Sequence, residues 1–174
     1  MAFSPRQLTE TAVSLISGYI QTNITAALAS IASIHPNDEV TTESPSSESY
    51  FYFEPAHAYR CPAVWVVDDS MDFRQNETRA NFINSMLSIN VTVKVEDSDM
   101  SLLTLKAWRY QAALHSLLDQ TPLVSADQAV SIKVRVKRIK PSGLYTYANP
   151  QPEEMATFYK EYMLQLDVEF FENF

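Results

Sequence analysis

From Leu8 to Ile31, apolar residues recur at spacings of three and four: Ala12, Leu15, Ile16, Tyr19, Ile20, Ile24, Ala27 and Leu28 form one continuous stripe. Ahead of it, Ser4-Pro5-Arg6-Gln7 supplies a capping hydroxyl, a proline at the first helical position and a glutamine at the third. Pro36 cannot continue a helix. The pattern therefore predicts one amphipathic helix beginning near Pro5 and ending by Ile34. Such a helix is about 45 Å long, whereas a compact chain of this size is a sphere about 40 Å across. Either it bends near Gly18 or one end projects.

The period then changes to two. Leu87, Ile89, Val91, Val93 and Val95 alternate with Ser88, Asn90, Thr92 and Lys94, which predicts a strand with one buried face. Ile132, Val134 and Val136 alternate with Lys133, Arg135 and Lys137, and Leu164, Leu166, Val168 and Phe170 with Gln165, Asp167 and Glu169. These segments, Val130–Ile139 and Tyr162–Phe171, are two more half-buried strands. Their polar faces carry opposite charge, which supports antiparallel pairing by about 0.2–1 kcal/mol per facing pair. They are expected to be neighbours. The alternative is that Lys133, Arg135 and Lys137 bind an anion.

Between these strands, Leu103, Ala107, Tyr110, Leu114 and Leu117 return to helical spacing, with Leu105, Trp108 and Ala112 beside the stripe. A second helix is expected over Ser101–Leu118. The preceding Glu96-Asp97-Ser98-Asp99 reads as its N-cap, with acidic charge favourable near a helix start. Two short bulky runs, Tyr50–Phe53 and Ala63–Val67, read as strands able to form a hairpin. The order is α-β-β-β-α-β-β. It predicts an α+β fold, two helices packed on a mainly antiparallel sheet of about five strands, in a single domain over residues 1–174. Two long polar loops are expected, at 36–49 and 140–158. The first is acidic, rich in hydroxyls and anchored only by Val40, so it is expected to be mobile.

Composition agrees with a folded chain: 174 residues, 46% hydrophobic and 20% charged. The formal charge of −8 disfavours a general attraction to phosphates, so no sequence-specific nucleic acid is expected as a partner. The sequence has no apolar run long enough for a membrane span, no secretory leader pattern, and one cysteine, Cys61, which cannot close an internal disulfide. Residence in a cytosol is expected, and the sequons at Asn23, Asn76 and Asn90 read as chance.

Chemistry is constrained by what the chain lacks. With only Gly18 and Gly143, phosphate-cradling loops and a nucleophile elbow are absent. His35, His57 and His115 fall far apart, without the spacings of common zinc sites. Asp68, Asp69 and Asp72, followed by Glu77, could tempt a magnesium-dependent hydrolase or nuclease reading. They read better as a solvated loop leaving the strand Ala63–Val67. No catalytic residue, cofactor or metal site is expected.

The element order, carried by Pro5–Ile34, Tyr50–Phe53, Ala63–Val67, Leu87–Val95, Ser101–Leu118, Val130–Ile139 and Tyr162–Phe171, resembles the bacteriophage tail-terminator fold. That fold is shared with tail-completion and head–tail joining proteins. The resemblance implies a structural virion protein, assembled in the host cytoplasm. It would form a homo-oligomeric ring, commonly a hexamer, that caps the tail tube and meets tail-tube and neck or connector proteins. It carries no active-site residues. Another neck adaptor or a tail-tube protein is the neighbouring alternative. Copies carrying −8 each repel, so apolar contacts must outweigh that repulsion. The candidate contacts are Phe171 and Phe174 in the terminal Glu169-Phe170-Phe171-Glu172-Asn173-Phe174, because alternation buries Phe170 and turns Phe171 outward.

Overall fold

The computed structural model of the chain describes residues 5–52, 60–75, 83–119, 122–124, 132–148 and 157–172. The amphipathic stripe forms one uninterrupted helix, α1 (Pro5–Ile34), and the second periodic segment forms α2 (Met100–Leu118). Six strands make one sheet: β1 (Tyr50–Phe51), β2 (Ala63–Gln75), β3 (Ile83–Asp97), β4 (Pro122–Val124), β5 (Ile132–Ala148) and β6 (Phe158–Glu172). Their spatial order is β1-β2-β3-β6-β5-β4. The fold is α+β, as the pattern predicts, with a sixth short strand after α2.

Both helices cover one face of the sheet. Leu8, Ala12, Ile16, Ile20, Ile24 and Leu28 of α1 and Leu103, Ala107, Tyr110 and Leu114 of α2 are buried against alternate residues of β2, β3, β5 and β6. On α1 the buried stripe ends at Leu28, and Ile34 is 66% exposed. The projecting end anticipated from its length is therefore the C-terminal one. Gly18 leaves open space where a Cβ would lie, so it relieves no close approach. At the start of α2, Asp99 caps as expected: its carboxylate accepts from the backbone N–H of Ser101 at 2.7 Å and of Leu102 at 3.2 Å.

The two charged strands are neighbours. β5 and β6 pair antiparallel, with Val134 opposite Phe170 and Val136 opposite Val168. β6 also pairs with β3, placing Leu166 opposite Ile89 and Leu164 opposite Val91. The last strand is thus central, and Leu164, Leu166 and Val168 are wholly buried.

Three expectations are corrected. Tyr50–Phe53 and Ala63–Val67 do not form a hairpin: β1 runs parallel to β2, and the antiparallel partner of β2 is β3. The long alternating β3 offers more ladder than a two-residue strand can. For the same reason the presumed loop after Val67 is strand as far as Gln75, because Asp68 through Gln75 pair with Ile89 through Ile83. The polar segment at 140–158 is likewise strand through Ala148 and again from Phe158, paired across β5 and β6. The acidic segment at 36–49 is irregular up to Ser46, as expected, and has more anchors than Val40 alone. Val40 and Pro45 are buried, the hydroxyl of Ser44 donates to that of Thr25 at 2.8 Å, and residues of α2 grip its backbone.

Candidate functional site

Phe171 lies in β6 opposite Lys133 in the backbone register. Its side chain, and Phe174 altogether, lie outside the described residues. Phe170 is buried, as alternation requires.

The acidic trio is not a loop cluster. Asp69 is the unpaired residue of an irregularity between Asp68 and Ser70 in the β2–β3 register, and Asp68 and Asp69 are exposed on an outer part of the sheet. Asp69 accepts from the Gln165 amide at 3.3 Å. The side chain of Asp72 and all of Glu77 fall outside the described residues. Among the described residues no three His, Cys, Asp or Glu converge to hold a metal. His35 and His115 are exposed at separate places.

The basic stripe of β5 is largely answered from within. Lys137 pairs with Glu169 at 2.7 Å and Lys140 with Asp167 at 3.3 Å. Nearby, Lys94 pairs with Glu161 at 3.8 Å and lies 4.8 and 4.7 Å from the ring centres of Tyr147 and Tyr159, which stack on each other. The helix-free face of the sheet is therefore an ionic and aromatic lattice. Its edges carry irregular register, at Val136/Arg138, Pro141/Gly143 and Asp68/Ser70, and charged residues beside them. Such features discourage strand-to-strand fusion between molecules.

Two clefts of about 210 Å³ each open on the helical side, smaller than the roughly 300–1,000 Å³ of typical ligand pockets. The first is polar and lies between Cys61, Glu96, Asp97, Lys106 and Tyr110. Burial, reinforced by the charge of Glu96, pushes the Cys61 thiol up to about 12, so it is a poor nucleophile at neutral pH. Lys106 closes the cleft, pairing with Asp97 at 2.7 Å and donating to the Glu96 carbonyl at 3.0 Å. Burial alone would raise the Asp97 carboxyl. Hydrogen bonds from Lys106 and the Asp99 backbone outweigh it and hold the group below its ordinary value. Burial also raises the Tyr110 phenol, as does the nearby charge of Glu43.

The second cleft is apolar. Ile31 and His35 at the projecting end of α1 face Leu105, Trp108 and Ala112 of α2. Trp108 is 54% exposed and Leu105 39%. Its floor is built by Arg109, whose guanidinium is buried, donates to the Val40 carbonyl at 3.1 Å and pairs with Asp38. Asp38 in turn accepts from the Val40 N–H at 3.3 Å. One residue on, the Tyr110 hydroxyl donates to the Glu43 carbonyl. Arg109 and Tyr110 thus fix the acidic segment, of which Asp38 lines the groove and Glu43 the polar cleft. The sequence held a signal for this surface: Leu105, Trp108 and Ala112 widen the apolar stripe of α2 beyond what one buried face needs.

The family described as "Extracellular tail, of 10TM putative phosphate transporter" matches residues 19–98. That stretch is less than half of the chain. It begins inside α1 and stops before α2, leaving out β5 and β6, so it cuts through the core. Among the described residues no helix is long and apolar enough to cross a membrane. No curated protein matches the sequence. Among solved structures, the chain is similar to one in the virion of a native gene transfer agent particle, at 11% identity and a TM-score of 0.37, covering 88% of this chain and 97% of that one. A likeness of that degree transfers no role.

Proposed function

We propose that this chain is a non-catalytic structural subunit of a virion, which assembles with copies of itself into a ring at the end of a phage tail and joins it to the neck. The observation that supports this reading is the apolar groove between α1 and α2. A tryptophan, a leucine and the end of a projecting helix stand in water while the residues beneath them are pinned by a buried arginine. Exposed aromatic and aliphatic side chains on a rigid floor are what interface anchors need. The element order supports the same reading through its resemblance to tail-terminator proteins. The charged and irregular sheet edges weigh against a tail-tube subunit, which needs a sheet continuous with its neighbours.

Light scattering and negative-stain imaging of the purified protein test it. The expected result is a particle several-fold heavier than 19.7 kDa, with ring-shaped projections. A species of single-copy mass at every concentration and ionic strength would remove the ring.

A further inference from the structure

The outer strands of the sheet are not guarded along their whole length. On one edge, β2 carries Asp68 and Asp69 at a register irregularity. On the other, β4 covers β5 at Lys133–Arg135, and the positions that follow hold Lys137, Arg138, Lys140 and the two irregularities that end at Gly143. Beyond Gly143 these devices stop. Leu144-Tyr145-Thr146-Tyr147-Ala148 has no charge, proline or register shift, and no described strand pairs with its outer edge. All five residues are exposed, Leu144 at 50%, Tyr145 at 58% and Tyr147 at 40%. The segment is held straight from its inner side: β6 pairs with every residue of it, Tyr147 stacks on Tyr159, and the Tyr147 hydroxyl donates to Glu161 at 2.6 Å. A fixed, uncharged edge of aromatic and β-branched residues is a template for another strand.

We infer that this edge is a contact between two copies of the chain, made by the same five residues of each, antiparallel about a two-fold axis through Thr146. The segment is nearly symmetric about that residue, with a tyrosine on either side and then a leucine and an alanine. Its register on β6 puts Leu144, Thr146 and Ala148 on the helical face, opposite Tyr162, Lys160 and Phe158, and Tyr145 and Tyr147 on the helix-free face, opposite Glu161 and Tyr159. In the two-fold pair Thr146 faces the partner's Thr146, Leu144 faces the partner's Ala148, and Tyr145 faces the partner's Tyr147, so aromatic meets aromatic and hydroxyl meets hydroxyl. A slip of one residue would set each tyrosine against a residue of the other face. Charge selects the same stretch: each copy carries −8, and this part of the edge brings no like charges opposite each other. Five strand residues span about 17 Å, too little for the roughly 1,200 Å² that a stable interface buries, so the pair is weak and forms as concentration rises. The contact is independent of the ring, because a two-fold contact closes on two copies and propagates no further.

Cross-linking of the full chain reads the register. Cys61 is buried, so the parent serves as the blank. Under mild oxidation Thr146→Cys alone should give a disulfide-linked pair, because the position faces itself across the axis. Leu144→Cys alone and Ala148→Cys alone should stay single chains, since each lies about 13 Å along the strand from its own copy, whereas their equimolar mixture should give a pair linking the two variants. Thr146→Lys sets like charges opposite each other and should need at least about tenfold more protein than the parent to pair in sedimentation. All the changed side chains are exposed, so the parent's circular dichroism and melting profile are expected throughout. Cross-linking of Leu144→Cys to itself, or none in any variant or mixture, overturns the inference. So does identical sedimentation of the parent and Thr146→Lys at every concentration. A parent that forms rings without these cross-links removes the two-fold contact and leaves the ring. Should the changes at Thr146 prevent folding, the mixture of Leu144→Cys with Ala148→Cys decides the register by itself.

Discussion

The two faces of the sheet are built from the same four long strands and have opposite chemistry. Beneath the helices, every second residue from Leu87 to Val95 in β3 and from Tyr162 to Phe170 in β6 is aliphatic or aromatic and buried. On the helix-free face, lysines, carboxylates and tyrosines among the intervening residues pair with one another. The first face stabilises by removing apolar area from water, worth about 1.5–3 kcal/mol for each large side chain fully buried. On the second, each ion pair is worth about 1 kcal/mol at most. Nearly all the fold's stability therefore lies on one side. The charges of the other side set register and guard the edges. The proposed assembly surface lies on the outer side of the helices, where apolar residues have no sheet to cover them.

The largest effect is expected at the centre of the covered face. Leu166 is fully buried on β6 between β3 and β5, so Leu166→Asp places a charge where nothing can pair with it. The variant should be unfolded by circular dichroism at room temperature, and Leu166→Ala should lose about 2–5 kcal/mol in urea. A soluble Leu166→Asp protein with the parent's melting profile would mean that the strand is peripheral.

Next comes the clasp on the acidic segment. Arg109→Ala strands the Val40 carbonyl and removes the partner of Asp38, an expected loss of about 1–3 kcal/mol. Amide exchange at 38–43 should become fast while the protection of β3 and β6 stays unchanged. The same experiment on the parent decides whether the segment is mobile, as its composition suggests, or protected, as its anchors imply. Uniformly fast exchange at 38–43 in the parent would show that the clasp does not hold in solution.

How much of this the chain disclosed follows from the range of each interaction. Both helices and the buried strands were legible because periods of 3.6 and two are local and repeat many times. β6 was recognisable as a strand and as the partner of β5. Its second partner, β3, lies some seventy positions earlier in the chain and left no charge signal. Asp68–Gln75 and Lys140–Ala148 resembled loops because Asp68, Asp69, Pro141, Ser142 and Gly143 are turn-forming types. They are held extended by the partner strand rather than by their own preference. The 36–49 segment looked unanchored because its anchors, Arg109 and Tyr110, are in another element. At the candidate surface, Trp108 and Leu105 were visible beside the stripe of α2, but only the position of α1 tells which apolar residues remain uncovered.

A smaller, pH-dependent effect belongs to the polar cleft at the start of α2. The Asp97 carboxyl is held below its ordinary value of 3.8 in the folded protein. Its contribution to stability is therefore fully present above about pH 4 and is lost as pH falls through the lower folded value. Asp97→Asn should melt below the parent at neutral pH, and the gap should narrow on acidification below pH 4. A gap that stays constant down to pH 2 would place the effect of the substitution elsewhere than in the charge.

The smallest effect is expected on the ionic face, and it bears directly on the contrast between the two sides. Lys137 and Glu169 are 2.7 Å apart, but the Lys137 side chain is 46% exposed, so water and salt screen the attraction. A double-mutant cycle using Lys137→Ala and Glu169→Ala should give a coupling of about 0.2–1 kcal/mol, shrinking in 1 M salt. Reversing both charges, Lys137→Glu with Glu169→Lys, should restore most of what either reversal loses, because the pair sits on adjacent antiparallel strands and either polarity satisfies it. The anion-binding alternative makes the opposite prediction. If the stripe exists to hold a phosphate or sulfate, the double reversal abolishes binding, and the parent is stabilised by millimolar phosphate well beyond an ionic-strength control. No coupling in the cycle together with phosphate-specific stabilisation would move β5 from internal pairing to ligand binding and end the division of labour between the two faces.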